Sequence, residues 1–235
     1  MIDAVALRAR LADIRSRIER AAGRAKRDPA SIRLVAVSKT FPADYVSALA
    51  DAGQRDFGEN KVQEALQKMD ATSTLPLHWH LVGHLQSNKA NKAGARFQTI
   101  HSVDEAGLGA RLDRAAATAG RPLELLVQVD LAGEATKHGA REDELTVIFQ
   151  AARAWTAARV TGVMLLPPAV EDPDASRPYF RELQAVRARL LARGVDSPML
   201  TEVSMGMSHD FDVAVEEGAT LVRVGTAIFG SRTDV

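Results

Sequence analysis

One lysine and two loops rich in glycine and hydroxyl groups are the parts of this sequence best suited to chemistry. Lys39 follows a mostly apolar stretch at residues 32–37, separated from it by Ser38 in the sequence VSKT. The segments SMGMS, residues 204–208, and VGT, residues 224–226, each combine glycine with serine or threonine. Such segments bind phosphate, because glycine lets the backbone approach an oxyanion and the amide N–H groups donate to it.

The lysine and the phosphate loops together favour a phosphorylated carbonyl compound as ligand. Burial at a strand end disfavours the charged form of Lys39 and lowers its pKa, and a free amine can form a Schiff base with an aldehyde or ketone. Pyridoxal 5′-phosphate and a sugar phosphate both satisfy this description. The plainer alternatives are that Lys39 is a solvated strand cap and that SMGMS is only a flexible turn.

Arg223 could contact either ligand. It lies two residues before Gly225, so in a strand both positions face the same side. Its guanidinium is a permanent cation that could meet a sugar-phosphate oxygen or the unprotonated ring nitrogen of pyridoxal phosphate. Spacing alone leaves this choice open.

The elements that must position these residues alternate along the chain. An amphipathic helix is predicted at residues 3–27, and then short apolar runs alternate with helical segments. The runs are continuously apolar, as in parallel strands covered on both faces. Strands are predicted at 32–38, 55–59, 78–83, 97–103, 123–131, 159–166, 198–205 and 220–230, with intervening helices that include 42–52, 61–69, 87–94, 104–120, 176–193 and 209–218. The helix after the fifth strand is predicted to carry Leu145, Ile148, Ala152 and Trp155.

Eight strand–helix units predict an α/β fold with a single (β/α)₈ TIM-type barrel at about residues 32–231, in one domain over residues 1–235. A doubly wound open sheet is the competing architecture. In such a barrel the carboxyl ends of the strands meet at one mouth, so Lys39 and both glycine loops are expected there.

Composition narrows the class of function. Lysine plus arginine number 30 and aspartate plus glutamate number 30, which gives no basic excess for nucleic acid or anionic membrane. The sequence has no cysteine, as is common in reducing compartments. No apolar run approaches the roughly 20 residues of a membrane-spanning helix, and acidic residues in the first twenty argue against a transit peptide. We expect a soluble, cytoplasmic protein.

Several motifs resemble the pyridoxal phosphate homeostasis proteins, single-domain relatives of the alanine racemase barrel. They are LVAVSKT, FGEN with VQEA, HWHLVGHLQSNK, LPP, LTEVSMGMSHDF and VRVGTAIFG, and the resemblance spans roughly residues 30–231. Two small departures are Phe41, where a lysine is frequent, and ATKHG at residues 135–139, where a serine is expected before the lysine.

The resemblance implies a pyridoxal phosphate site with assigned roles. Lys39 matches the lysine that holds the cofactor as an internal aldimine, and Arg223 matches the arginine facing the pyridine nitrogen. The remaining matches are the phosphate contacts Ser208, Gly225 and Thr226, with Ser204 near the same site and Asn60 at the cofactor's edge.

An arginine beside the pyridine nitrogen favours a carrier over a catalyst. It disfavours protonation of the ring, which then becomes a weaker electron sink. The racemases that resemble this barrel complete their site with a second, β-rich domain and a partner subunit, and we expect that domain to be absent here. We therefore expect a cofactor-binding homeostasis protein without robust turnover. The alternatives are a weak amino-acid racemase and a cofactor-free Schiff-base aldolase on a phosphosugar.

The sequence says less about partner proteins and metal ions than about the cofactor. Apo-enzymes that use pyridoxal phosphate are possible recipients, and we expect a monomer or weak dimer. His78 and His80 share a strand face and could bind metal with His84, although histidine pairs are common in strands and we expect no metal site. Lys89 and Lys92 are either a solvated helix start or a basic patch for phosphate ligands or a recipient enzyme.

Overall fold

Eight parallel strands form a closed barrel in the computed structural model, which describes residues 2–131, 133 and 138–230. Each strand pairs with the next along the chain, and the last pairs with the first, with Ala36 opposite Val224. The predicted TIM-type barrel is thus confirmed, and the open sheet is excluded. The strands are β1 (Arg33–Val37), β2 (Asp56–Glu59), β3 (His78–Leu81), β4 (Thr99–Val103), β5 (Leu123–Val129), β6 (Ala158–Leu165), β7 (Glu202–Met207) and β8 (Leu221–Val224).

The helices surround the barrel and bury one face each. They are α1 (Ala4–Arg24), α2 (Ala43–Asp51), α3 (Val62–Ala71), α4 (Ala90–Arg96), α5 (Ala106–Thr118), α6 (Glu142–Ala152), α7 (Arg177–Ala192), α8 (Phe211–Glu216) and α9 (Thr226–Phe229). The amphipathic spacing in α1 buries Leu7, Leu11, Ile14 and Ile18 against α2, α8 and α9. This helix therefore covers the seam where the first and last strands meet.

Two apolar regions hold the fold together. The larger one lies between the helices and the outer face of the strands. The smaller one lies inside the barrel and forms the apolar part of its packed interior. It contains Val35, Val37, Val82, Leu126, Met164 and Leu221.

The structure corrects the prediction in four places. The helix predicted at 3–27 ends at Arg24. The strand predicted at 198–205 begins at Glu202, because residues 197–200 form a 3₁₀ turn in which proline supplies a fixed φ. The strand predicted at 220–230 ends at Val224, because Gly225 leaves the strand conformation and α9 begins. Trp155, predicted on the helix after β5, lies beyond the end of α6.

The described residues contain no helix with both the length and the apolar character needed to cross a membrane.

Candidate functional site

The predicted site residues come from strand ends that share one mouth of the barrel. Lys39 follows β1 and is half-buried, Asn60 follows β2, and Ser208 follows β7. The backbone of Gly225, just after β8, packs against β1: a Cβ added there would lie 3.3 Å from the Val37 carbonyl oxygen. The turn after β8 thus lies beside the strand that carries Lys39.

Arg223 lies inside the barrel and is almost wholly buried. One guanidinium nitrogen donates to the Ser204 hydroxyl at 2.5 Å, and another donates to the Leu165 carbonyl oxygen at 2.8 Å. Burial lowers the pKa of Arg223 to about 10, while the charge of Asp210 opposes that shift. The side chain therefore remains a cation at neutral pH and is held by neutral acceptors.

Ser204 also begins a buried hydrogen-bond chain that crosses the barrel. Its hydroxyl is 2.9 Å from Nδ1 of His101, whose Nε2 is 2.9 Å from Nδ1 of His80. Nε2 of His80 is in turn 3.0 Å from an Asp56 carboxylate oxygen. We call Asp56, His80, His101, Ser204 and Arg223 the polar chain. It connects Arg223 near the mouth to the start of β2 at the opposite end of the barrel.

The two histidines of the polar chain resist protonation. Both are fully buried, and burial lowers the pKa of His80 and places the pKa of His101 well below its ordinary value. The pKa of Asp56 is lowered by its hydrogen bond to His80 and the charges of nearby histidines, against an opposing and larger individual contribution from burial. Neutral imidazoles that each donate and accept can therefore continue the chain without burying further charge.

The backbone on the N-terminal side of Lys39 is fixed by a buried ion pair. Lys68 of α3 donates to the Glu59 carboxylate at 2.6 Å and to the Ser38 carbonyl oxygen at 2.7 Å. The Ser38 hydroxyl donates to the same Glu59 oxygen at 2.6 Å. Burial raises the pKa of Glu59, and its other oxygen is buried with no hydrogen-bond partner in the described structure.

The backbone on the other side of Lys39 is held by Glu64. Thr40 has a φ of 70°, which is unfavourable for a β-branched residue, and its N–H donates to Glu64 at 2.5 Å. Glu64 also accepts from Lys68 at 2.8 Å. We call Glu59, Glu64 and Lys68 the lysine support, since together they fix the residues on both sides of Lys39.

The loops after β7 and β8 converge on one hydroxyl. The Ser208 hydroxyl accepts from the N–H of Gly225 at 3.0 Å and of Ala227 at 3.4 Å, where α9 begins with Thr226. Gly206 has a φ of 87°, and a Cβ there would lie 2.4 Å from the Ala214 Cβ, so a side chain does not fit. These amide and hydroxyl groups can bind an oxyanion by donating hydrogen bonds to it.

The structure gives Ser204 and Asn60 the following neighbours. The Ser204 hydroxyl contacts Arg223 and His101 inside the barrel, while Ser208 is the serine beside Gly225. Asn60 lies close to the turn after β3, since a Cβ on Gly83 would lie 2.4 Å from the Asn60 carbonyl oxygen. Asn60 is thus positioned through its backbone.

The set of histidines considered for metal does not assemble. Both ring nitrogens of His80 are occupied within the polar chain, and His78 is exposed at the start of β3. His84 instead lies against His138, with ring centroids 3.4 Å apart, and its Nδ1 is 3.8 Å from Asp104. Burial and the neighbouring His138 lower the pKa of His84, while burial raises the pKa of Asp104.

Three further features of the sequence are the lysine pair at the start of α4, Phe41 and the segment ATKHG. Lys92 is exposed and Lys89 is half-buried at the start of α4. Phe41 is buried between Tyr45 and Phe229, with a centroid distance of 5.2 Å to each ring. The lysine of ATKHG and the two residues before it lie outside the described residues.

Sequence reasoning missed the lysine support and most of the polar chain. Glu64 and Lys68 are four residues apart on one helix, a spacing that predicts a surface ion pair, and only the fold turns this pair towards β1. His101 and Ser204 are 103 positions apart in sequence, so no local pattern signals their contact.

Comparison with known proteins agrees with this geometry. Residues 3–233 match the family described as alanine racemase, N-terminal domain. A pyridoxal phosphate homeostasis protein of Aquifex aeolicus is 38% identical over 223 residues, covering 95% of this chain and 97% of that relative. One of Pseudomonas aeruginosa is 40% identical over 222 residues, covering 94% of both chains. This chain belongs to the family of the alanine racemase N-terminal domain. Its expected membership among the pyridoxal phosphate homeostasis proteins is confirmed.

Solved structures extend the comparison to the fold. PipY of Synechococcus elongatus, solved with PLP bound, is 40% identical with a TM-score of 0.84, covering 95% of this chain and all of that one. Alanine racemase of Corynebacterium glutamicum is 18% identical with a TM-score of 0.74, covering 98% of this chain and 62% of that one. The second likeness concerns the barrel fold alone.

Proposed function

We propose that this chain binds pyridoxal 5′-phosphate at the barrel mouth and takes part in homeostasis of the cofactor without sustained turnover. The observation that best supports this is Arg223, a buried cation held by Ser204 and the Leu165 carbonyl. A guanidinium beside the pyridine nitrogen favours the unprotonated ring, because a second positive charge there would be repelled.

The residues around Arg223 fit the rest of the cofactor. The Lys39 amine would bond the cofactor's aldehyde carbon. The Ser208 hydroxyl, the amides of Gly225 and Ala227, and Thr226 would bind its phosphate. We propose Asn60 at the edge of the site, with Ser204 acting through Arg223. The same assignment is supported by relatives named for pyridoxal phosphate and by PipY, solved with PLP bound.

Arg223 also limits catalysis. Bound pyridoxal phosphate can act as an electron sink for carbanions, and this capacity is greatest when its ring nitrogen is protonated. Arg223 keeps its own proton and donates two hydrogen bonds to Ser204 and Leu165, so it is a poor proton source for the ring. This chain's residues therefore hold and orient the cofactor. The names of the relatives indicate a homeostatic role, and we propose that this chain holds and releases the cofactor for apo-enzymes.

Covalent capture tests the binding proposal. The purified chain is incubated with pyridoxal phosphate, reduced with borohydride and digested for mass mapping of the modified lysine. We expect one adduct per chain on Lys39 and none in Lys39→Ala, with Lys61→Ala as a matched control exposed at the start of α3. An adduct spread over many lysines, or an unchanged amount in Lys39→Ala, would contradict the proposal.

Turnover and transfer assays test the carrier role. The loaded chain is incubated with L-alanine or L-serine and the D-isomer is measured. A rate near one per second, at the low end of ordinary enzymes, would favour a racemase. Transfer is measured as recovery of activity by an apo-enzyme that uses pyridoxal phosphate, with free cofactor as the reference. Aldol cleavage of a sugar phosphate without cofactor would favour the aldolase alternative.

We also propose the compartment in which the chain acts and its oligomeric state. The absence of cysteine fits a reducing compartment, which supports action in the cytoplasm. We propose that the chain is a monomer or a weak dimer, which light scattering over a range of concentrations would test.

A further inference from the structure

Three side chains that could bind metal meet at the mouth of the barrel, across from the turn at Gly225. His84 follows β3, Asp104 follows β4 directly, and His138 lies in the connection between β5 and α6. One ligand atom from each residue lies within 4.8 Å of the others. Three residues from three neighbouring connections are thus brought together by the barrel itself.

The two imidazoles are stacked and exposed, so that a metal ion could bind both once one ring turns about its side-chain bonds. Their rings are parallel to within 10°, with centroids 3.4 Å apart, and the Asp104 carboxylate is 3.8 Å from Nδ1 of His84. At that distance the carboxylate makes no hydrogen bond with the ring. Two ring nitrogens and a carboxylate oxygen within 4.8 Å of one another are the donor set of a zinc site with an open position.

The surrounding space suits a bound cation. A cavity of about 450 Å³ is lined by these three residues and by Glu105 and Glu144. The Glu105 carboxylate adds negative charge to the rim, which would attract a divalent cation, whereas the Glu144 carboxylate is paired with Arg141. The space also admits water or an anionic ligand at coordination positions that the protein leaves open.

We propose that His84, Asp104 and His138 form a binding site for a divalent transition metal of the zinc type. Imidazole ligands favour Zn²⁺, Ni²⁺, Cu²⁺ and Co²⁺, whereas Mg²⁺ and Ca²⁺ prefer oxygen ligands alone. The three residues are not among those proposed to bind the cofactor, and the nearest of that set is Asn60, which packs against Gly83 beside His84. In a closed barrel of eight strands, β4 lies opposite β8, so Asp104 and the turn at Gly225 are on opposite sides of the mouth.

Zinc titration of the untagged full chain tests the proposal. We expect one Zn²⁺ to bind per chain in isothermal titration calorimetry, and excess Mg²⁺ not to displace it. His84→Ala and Asp104→Asn should each raise the dissociation constant for Zn²⁺ at least tenfold. His78→Ala, which removes an exposed histidine at the far end of β3, should leave the constant within twofold. Substituting Co²⁺ should give visible absorption bands that His84→Ala removes.

Two controls separate this site from folding defects and from the cofactor. Circular dichroism should show that His84→Ala and Asp104→Asn retain the fold. Lys39→Ala should bind Zn²⁺ as the original chain does, so the metal result does not depend on cofactor binding. The proposal is overturned if Zn²⁺ does not bind saturably, if His84→Ala and Asp104→Asn bind it unchanged, or if only His78→Ala weakens it.

Discussion

The lysine and the arginine of the proposed site are supported in different ways. Arg223 lies within a strand, and its charged end donates to neutral acceptors inside the barrel. Lys39 lies beyond a strand, and the contacts of the lysine support reach the backbone of its neighbours Ser38 and Thr40. These hydrogen bonds thus hold the guanidinium of Arg223 directly, and they hold the backbone on both sides of Lys39.

This difference suits a protein that binds and releases one ligand. A fixed guanidinium sets the orientation of the ring without rearrangement during binding. The lysine side chain has four carbons of reach and must move as its bond to the ligand forms and breaks. The predictions below test each support separately, beginning with the largest expected effect.

Removing Lys68 should cause the largest loss of stability. Lys68→Ala leaves the buried Glu59 carboxylate without its cation, and breaking such a pair costs about 3–5 kcal/mol. Urea denaturation should show a free energy of unfolding lowered by that amount. Lys61→Ala, at the exposed start of the same helix, should change it by less than about 0.5 kcal/mol.

A double variant covers the case in which Lys68→Ala does not fold. Combining Lys68→Met with Glu59→Leu removes both charges, and apolar replacement of a buried ion pair is often neutral or stabilising. We expect this variant to fold and to bind pyridoxal phosphate more weakly, because the backbone beside Lys39 loses its contacts. Unchanged affinity would show that the lysine support acts on stability alone.

Ser204→Ala should have the next largest effect. It leaves a buried Arg223 donor and Nδ1 of His101 without partners, and each unsatisfied group costs about 1–3 kcal/mol. The free energy of unfolding from urea denaturation should fall within this range. Ser73→Ala, at an exposed position, is the matched control. A loss no larger than that of Ser73→Ala would mean that water or a rotated side chain replaces the hydroxyl.

Acidification should weaken the fold through the polar chain. The pKa values of His80 and His101 are lowered in the folded chain, whereas unfolded histidines bind protons near pH 6.5. The unfolded chain therefore takes up more protons as the pH falls below about 6.5, and the free energy of unfolding decreases. The slope is at most about 1.4 kcal/mol per pH unit for each histidine.

The variant His101→Gln tests whether a buried histidine causes the pH dependence of the unfolding free energy. His101→Gln should reduce the dependence of the unfolding free energy on pH between 7 and 5, because one buried imidazole no longer contributes. His78→Gln should not reduce it, since His78 is exposed. Equal slopes for the original chain and His101→Gln would place the pH dependence elsewhere.

Ser208→Ala should have the smallest effect on stability and a visible effect on ligand affinity. Its hydroxyl accepts from two amides at the loop surface, so the free energy of unfolding should change by about 1 kcal/mol or less. Losing one hydrogen bond to a phosphate should raise the dissociation constant for pyridoxal phosphate about tenfold. Fluorescence titration of Ser208→Ala and Ser204→Ala would compare the two serines directly.

The sequence predicts the parts of this molecule that depend on short-range patterns. The positions of Lys39 and Ser208 follow from strand ends, because an apolar run and the residue after it are adjacent in the chain. The alternation of strands and helices was sufficient to predict the barrel. The sequence does not predict the end of β8, because apolar residues continue on both sides of Gly225 in VRVGTAIFG and only the conformation at Gly225 separates β8 from α9.

Contacts between distant strands could not be predicted in the same way. The sequence around Lys68 and around His101 does not determine which residues their side chains contact. Those contacts form only when the barrel closes. The metal hypothesis shows the same limit. Spacing within HWH suggested His78 and His80, whereas the close neighbours of His84 come from the connections after two other strands. Closure, rather than local spacing, decides which polar groups meet.

The pairing of β1 with β8 has a consequence for synthesis of the chain. Lys39 leaves the ribosome early, but Arg223 and Gly225 emerge only with the last strand. That strand must then pair with both β7 and β1 to close the barrel. A nascent or truncated chain that lacks β8 therefore presents the lysine without the cation or the oxyanion loop. Only a finished and closed chain has the complete proposed site, so unfinished chains would not withdraw cofactor from the cell.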